Sequence, residues 1–422
     1  MKLHLNVLEP IITALMEIFV DGRYADKVIE RTFKARRQWG ARDRRLFAES
    51  VYDVVRWWRW HWHLAGLPQE IYLTPEEITE ERVWRVWAAY WIEKTGESPR
   101  LSQVRAVSTA SVKEQKSQKV PPAVRVSVPD WLYALGTSEL GGKWAAILEK
   151  LNEPAPVDLR ANTLRITRDD LRQRLFVETI ETDALSGLPD ALRLRERKNV
   201  FTSQAFKDGL FEMQDASSQR IAPFTQVAPG LRVVDACAGA GGKTLHLAAL
   251  MENKGRIIAL DIHQWKLDEL RKRARRDGVG NFEARLIEDS RTIKRLARSA
   301  DRVLIDVPCS GLGALRRNPD SKWKLSITEI ERLRKLQAEL IRSHSRMVKP
   351  GGKLTYATCS ILPSENEKQV ESFLKELGDE WTLEEQIHLV PGENDGDGFY
   401  AARMLRSPNA RKTEGAEEAS AK

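Results

Sequence analysis

Between residues 231 and 358, short apolar runs alternate with longer stretches whose apolar positions recur every three or four residues. The runs 231–235, 256–261, 282–287, 301–306 and 352–358 read as five strands. The stretches 244–251, 264–277 and 327–348 read as helices, the last opened by Ser326 and Glu329 at capping-box spacing, and Ser364 with Glu367 predicts the cap of another. Strands alternating with helices predict an α/β fold with a parallel, doubly wound, Rossmann-like sheet. Ligands of such sheets bind outside the carboxyl ends of the strands.

Upstream the pattern changes. The first 110 residues read as all-helical, with Trp57, Trp58, Trp60 and Trp62 close together and Trp84, Trp87 and Trp91 on one helical face. A Trp-rich helical core is the simpler reading of these indoles, ahead of a base-stacking platform, and His61 and His63 fall in the same stretch. Residues 111–124 are polar, contain Pro121 and Pro122, and read as a linker. Residues 125–225 read as a small mixed α/β segment, 226–406 as the doubly wound domain, and 407–422 as a polar, disordered tail.

A length of 422 residues suits several domains, since one core rarely exceeds roughly 250–300 residues. No run approaches the roughly 20 apolar residues of a membrane span, and Glu17 breaks the apolar stretch 11–20, so no membrane association is expected. Three cysteines are too few for a disulfide scaffold and point to a reducing, cytoplasmic setting. A net charge of +8 favours a polyanionic partner. The basic stretch 31–45, with Lys34, Arg36, Arg37, Arg42 and Arg44, is the candidate phosphate-contacting surface.

The chemistry stands at the predicted strand ends. The first strand runs into Asp235, then Cys237, Ala238, Gly239, Ala240, Gly241, Gly242, Lys243 and Thr244. Glycines there allow close backbone approach and a sharp turn into a helix N-terminus. Asp261 ends the second strand, about twenty residues on, where an acid accepts hydrogen bonds from ribose hydroxyls. Gly242-Lys243-Thr244 resembles the end of a phosphate-binding loop, but Cys237 stands where that loop begins with glycine. S-adenosylmethionine, a nucleoside without phosphates, fits the turn together with Asp261, Asp289 and Asp306 at successive strand ends.

Cys309 follows the fourth strand and Cys359 the fifth, so both thiols are expected in one crevice. Zinc would need further ligands at suitable spacing, and none is present, so no metal is expected. A thiol beside a methyl donor suits methylation of a pyrimidine at carbon 5. A thiolate adding to carbon 6 makes carbon 5 nucleophilic, and a second group assists proton removal and release. Asp306 is placed to hydrogen-bond the pyrimidine edge. An RNA-dependent NTPase and a non-catalytic ribosome assembly factor are the alternatives from other classes.

Asp235–Thr244 is one of several segments that resemble the Sun/Fmu group of RNA (cytosine-5) methyltransferases. The others are 306–313 with Arg316, Arg317, Asp320 and Trp323; 357–361 with Glu365 and Glu367; 159–163; 209–219; and 397–401. The resemblance covers about 125–405. It implies that Cys359 is the nucleophile, that Cys309 assists release, and that the loop 237–243 with Asp261, Asp289 and Asp306 holds S-adenosylmethionine. It places Arg160 near RNA and, through an N-terminal domain similar to the NusB fold, implies RNA binding by residues 1–110. A monomer acting on 16S ribosomal RNA is expected, with tRNA as the alternative substrate. Gly239-Ala240 departs from the Ala-Pro usual in the group.

Overall fold

A computed structural model describes residues 4–392 and 396–410. Most of the tail expected at 407–422 therefore lies outside the described residues; residues 407–410 form a turn after the last strand. The chain forms two compact units: residues 1–154 with 314–327, and residues 155–313 with 328–422.

The first unit is helical. Its longer helices are Leu5–Phe19, Ala25–Ala35, Ala41–Arg56, Glu80–Thr95 and Asp130–Leu140. Trp58, Trp62 and Trp87 are fully buried, and the Phe19 and Trp58 rings stack with centroids 3.8 Å apart. Each buried indole is worth roughly 4–6 kcal/mol of transfer free energy, which makes these residues core rather than platform. Buried Trp58 and Trp62 satisfy their indole N–H groups on the carbonyls of Tyr72 and Pro68. His61 and His63 are buried among them.

Part of the expected linker is ordered: Thr109–Ser117 is a helix, capped where Ser108 and Ser111 exchange side-chain and backbone hydrogen bonds. Val112 is its one buried residue, too weak an apolar signal to register as a periodic helix. Residues 125–154, expected with the α/β segment, cluster with the helices. So do residues 314–327. Trp323 packs on the helical core and donates to the carbonyl of Val55, while Nζ of fully buried Lys322 donates to the Arg56 carbonyl and Asn152 Oδ1.

The second unit contains two sheets. Strands β1 (Asp158–Ala161), β2 (Thr182–Ala184), β3 (Ala191–Leu194) and β4 (Phe211–Met213) form an antiparallel sheet in the order β2-β3-β1-β4. The larger sheet comprises β5 (Arg232–Asp235), β6 (Arg256–Asp261), β7 (Phe282–Leu286), β8 (Ala300–Asp306), β9 (Val348–Thr358), β10 (Trp381–Leu389) and β11 (Phe399–Arg406). Its order is β10-β11-β9-β8-β5-β6-β7, with β5 to β9 parallel and β11 antiparallel to both of its neighbours, β9 and β10, so that β11 alone runs against the others. The predicted parallel core is thus present. The expected helix 327–348 ends at Ser345, and β9 starts four residues before the expected 352. β5 pairs with β6 on one side and β8 on the other, so the strand order reverses there and opens the crevice at its carboxyl end.

Candidate functional site

The glycine turn after β5 is shaped by two left-handed residues, Gly239 at φ 54° and Gly241 at φ 89°. A Cβ on Gly241 would stand 2.1 Å from Leu270 Cδ1, whereas one on Gly239 would meet nothing within 4 Å. The turn therefore lies flush on helix Gln264–Asp277 at one glycine and borders open space at the other. Helix Gly242–Leu250 starts directly after it, with Gly241 at the cap position and no side-chain cap, so the amides of its first turn lack side-chain acceptors. Asp261, at the end of β6, accepts from the Gly239 amide (2.9 Å) and the His263 amide (2.9 Å). Free first-turn amides, a carboxylate at the neighbouring strand end and space at Gly239 fit S-adenosylmethionine: Asp261 for the ribose, and residues 239–243 for the amino-acid end.

Cys237 and Ala238 lie at the base of this turn; burial pushes the Cys237 thiol up, and the Ala238 amide donates to the Leu260 carbonyl. Lys243 Nζ pairs with Asp306 Oδ2 at 2.6 Å, and burial opposes its charge while Asp306 supports it. Thr244 Oγ1 donates to Asp235. Both side chains that a phosphate loop would turn toward a nucleotide are thus bound to acids of the sheet. Asp289 caps helix Ser290–Lys294 and is held by the Arg291 guanidinium, which keeps its carboxyl below the ordinary range.

Asp235 is 1% exposed, and burial raises its carboxyl to about 6, against the hydrogen bond from Thr244. Because its folded value exceeds the unfolded one, the native state holds the extra proton between roughly pH 4 and 6. Stability from this group is therefore present below that window and is lost as pH rises through it, by about 3 kcal/mol at neutrality. Asp235→Asn keeps an acceptor for Thr244 and removes the titration. Parent stability, measured by urea denaturation, should fall relative to Asp235→Asn between pH 4 and 7; a pH-independent difference would contradict this.

The two cysteines meet, as their strand ends predict. β8 and β9 are adjacent, with Asp306 opposite Ala357, and Cys309 Sγ lies 3.4 Å from Cys359 Sγ. The Cys309 thiol is held well above its usual range, first by its hydrogen bond to Cys359 and then by burial. A buried carboxylate sets both turns. Glu365 is fully buried and accepts from the Ser310 amide, Ser310 Oγ, Ser360 Oγ and Gln337 Nε2. The Gly313 amide donates to the Cys359 carbonyl, tying the end of one turn to the other cysteine. Glu365 and Gln337 were not recognisable as supports from sequence: the position after Ser364 reads as part of a helix cap, and the helix begins at Glu367 instead.

Arg160 corrects an expectation. It is 3% exposed, which leaves it no surface for RNA, and it donates to the Gly242 carbonyl at 2.9 Å and to Gln214. Lys34, Arg36 and Arg37 are exposed on the helical unit, with Lys34 paired to Glu30 at 2.6 Å. Among the described residues, no group of three or more His, Cys, Asp or Glu is arranged to hold a metal ion, and no helix is long and apolar enough to cross a membrane.

Residues 225–405 match the family described as 16S rRNA methyltransferase RsmB/F, and residues 128–201 match its RsmF/B-like, ferredoxin-like domain. A probable ribosomal RNA small subunit methyltransferase B from Synechocystis is 34% identical over 310 residues, 69% of each chain. A ribosomal RNA small subunit methyltransferase B from Shewanella oneidensis is 35% identical over 294 residues, 67% of each. Among solved structures, PH0851 is 26% identical with a TM-score of 0.79, covering 96% of this chain and all of that one. A methyltransferase homolog protein from Pyrococcus horikoshii is also 26% identical, with a TM-score of 0.61, covering 68% of this chain and 97% of its own. The chain belongs to the 16S rRNA methyltransferase RsmB/F family and is an S-adenosylmethionine-dependent methyltransferase.

Proposed function

We propose that this protein methylates carbon 5 of a cytosine in small-subunit ribosomal RNA, with Cys359 as nucleophile. The observation that carries the reading is the 3.4 Å contact between two thiols at the ends of adjacent strands, beside a loop suited to the methyl donor. S-adenosylmethionine, when bound, would give its methyl group to the activated carbon 5, the sulfonium–methyl bond breaking and the thioether leaving. The Cys359 thiolate adds to carbon 6, its sulfur forming the new bond while the ring electrons shift to carbon 5. Asp306, paired with Lys243 beside the thiols, hydrogen-bonds the pyrimidine edge. Removal of the carbon 5 proton then restores the ring and expels the Cys359 thiolate.

Cys309 gains its role from the first step. While Cys359 is a thiolate, the hydrogen bond from Cys309 and the neighbouring charge keep Cys309 protonated. Bonding of Cys359 to carbon 6 consumes that charge, so Cys309 loses its proton to solvent more readily once the adduct exists, and the resulting thiolate is suited to accept the carbon 5 proton. The target base must leave its stack, at a cost of about a few kcal/mol, which favours a loop or a partly unfolded substrate. Lys34, Arg36 and Arg37 are proposed to contact RNA phosphates, so binding should weaken with added salt. A monomer in the cytoplasm is the setting this reading assumes.

The test incubates the purified protein with methyl-labelled S-adenosylmethionine and unmodified small-subunit ribosomal RNA or tRNA, then identifies the labelled nucleoside. Label in 5-methylcytidine of ribosomal RNA is expected. Label in another nucleoside, or in tRNA alone, would contradict the assignment.

A further inference from the structure

The methyl-donor loop has no side-chain cap of its own and contains two left-handed glycines, so something else must fix its backbone. Two guanidinium groups of the same compact unit reach its carbonyls. Arg273 Nη1 donates to the Ala240 carbonyl at 2.7 Å, and Arg160 Nη1 donates to the Gly242 carbonyl at 2.9 Å. They come from separate elements, Arg160 from β1 and Arg273 from helix Gln264–Asp277.

Each guanidinium is itself anchored. Glu212, on β4, takes Nη2 of Arg273 at 2.7 Å on one oxygen and the Arg276 guanidinium on the other. Arg160 is braced by Gln214, whose own amide donates to Ser218 Oγ. Burial lowers the Arg160 guanidinium to about 10, against support from Glu212 and Asp277, so it stays charged at neutral pH. Arg160 is 3% exposed, and the side chains of Arg273 and Glu212 are 20% and 6% exposed. A carbonyl held in a planar trans peptide also fixes the direction of the following amide. Bonds to charged donors are the stronger class, and in a mostly dry site they are weakly screened.

We propose that Arg160 and Arg273 are positioning residues that clamp the carbonyls of Gly242 and Ala240, holding the loop in the conformation that binds S-adenosylmethionine. They act through the loop and touch neither RNA nor the reacting atoms. The clamp gives the four-stranded sheet a role in donor binding, because β1 carries Arg160 and β4 carries Glu212. The inference rests on the loop being the donor site.

Arg273→Ala removes the more accessible half of the clamp. Donor affinity, read by calorimetric titration of S-adenosylmethionine without RNA, should fall about tenfold, the scale of one lost charge-assisted hydrogen bond. KM for the donor should rise similarly, while kcat and KM for RNA stay near parent values. Amide hydrogen exchange of residues 238–243 in the donor-free protein should accelerate. Arg273→Lys retains the charge and one donor, is the milder change for folding, and should recover most of the affinity. Unchanged donor affinity and loop exchange in folded Arg273→Ala and Arg160→Gln would overturn the clamp. So would a fall in kcat or RNA affinity with donor binding intact. A parent protein that bound no donor would instead sink the assignment of the loop itself.

Discussion

Cys359→Ala is expected to abolish methyl transfer, a loss on the order of 10³–10⁶-fold, whereas Cys309→Ala should let the first bond form and obstruct its breaking. The asymmetry follows from the roles proposed for the two thiols. The two sulfurs lie 3.4 Å apart, with Cys359 proposed as the nucleophile and Cys309 as the group that assists release. Removing Cys359 removes the nucleophile. Removing Cys309 leaves Cys359 able to attack and the donor loop intact, but the group suited to take the carbon 5 proton is gone. Cys309→Ala mixed with RNA and S-adenosylmethionine should therefore accumulate a protein–RNA complex that survives denaturing electrophoresis, and the double variant should not. A trapped complex with Cys359→Ala, and none with Cys309→Ala, would reverse the two roles.

The parallel sheet was legible because most of its strands are largely buried and its helices amphipathic, so both periods stand out in the sequence. The pairing of the cysteines was legible for the same reason, since topology alone puts the ends of adjacent strands together. What escaped notice lacks a local signal. β10 is exposed along most of its length and exists as a strand because β11 pairs with it. Arg273 stands in a helix crowded with other charged residues, and nothing in its neighbours distinguishes it from a solvated position. The resemblance placed Arg160 near RNA, and no local signal announces its partner in the structure, a carbonyl 82 residues away in sequence. Likewise, residues 314–327 follow the Cys309 turn in sequence yet cluster with the helices, which no periodicity announces.

Glu365→Ala should be among the most damaging changes away from the thiols themselves. The carboxylate has four donors at 2.5–2.9 Å, and two of its donor residues directly follow Cys309 and Cys359 in sequence. It is fully buried, so four hydrogen bonds stand in for water, and truncation strands the donors in a dry cavity. A loss of about 3–5 kcal/mol is expected, since the contributions of such a network do not simply add. Glu365→Gln preserves volume but must point an amide N–H₂ at groups that themselves donate, so it should recover only part of the loss. The local consequence is mispositioned thiols. In variants that remain folded by urea denaturation, kcat should drop while donor affinity holds, because residues 239–243 make no bond to this network. Thiol reactivity toward a disulfide reagent should rise at Cys309, released from its tight turn. If Glu365→Gln matched the parent in stability, kcat and thiol reactivity, the buried carboxylate would be a spectator and the two turns would hold themselves.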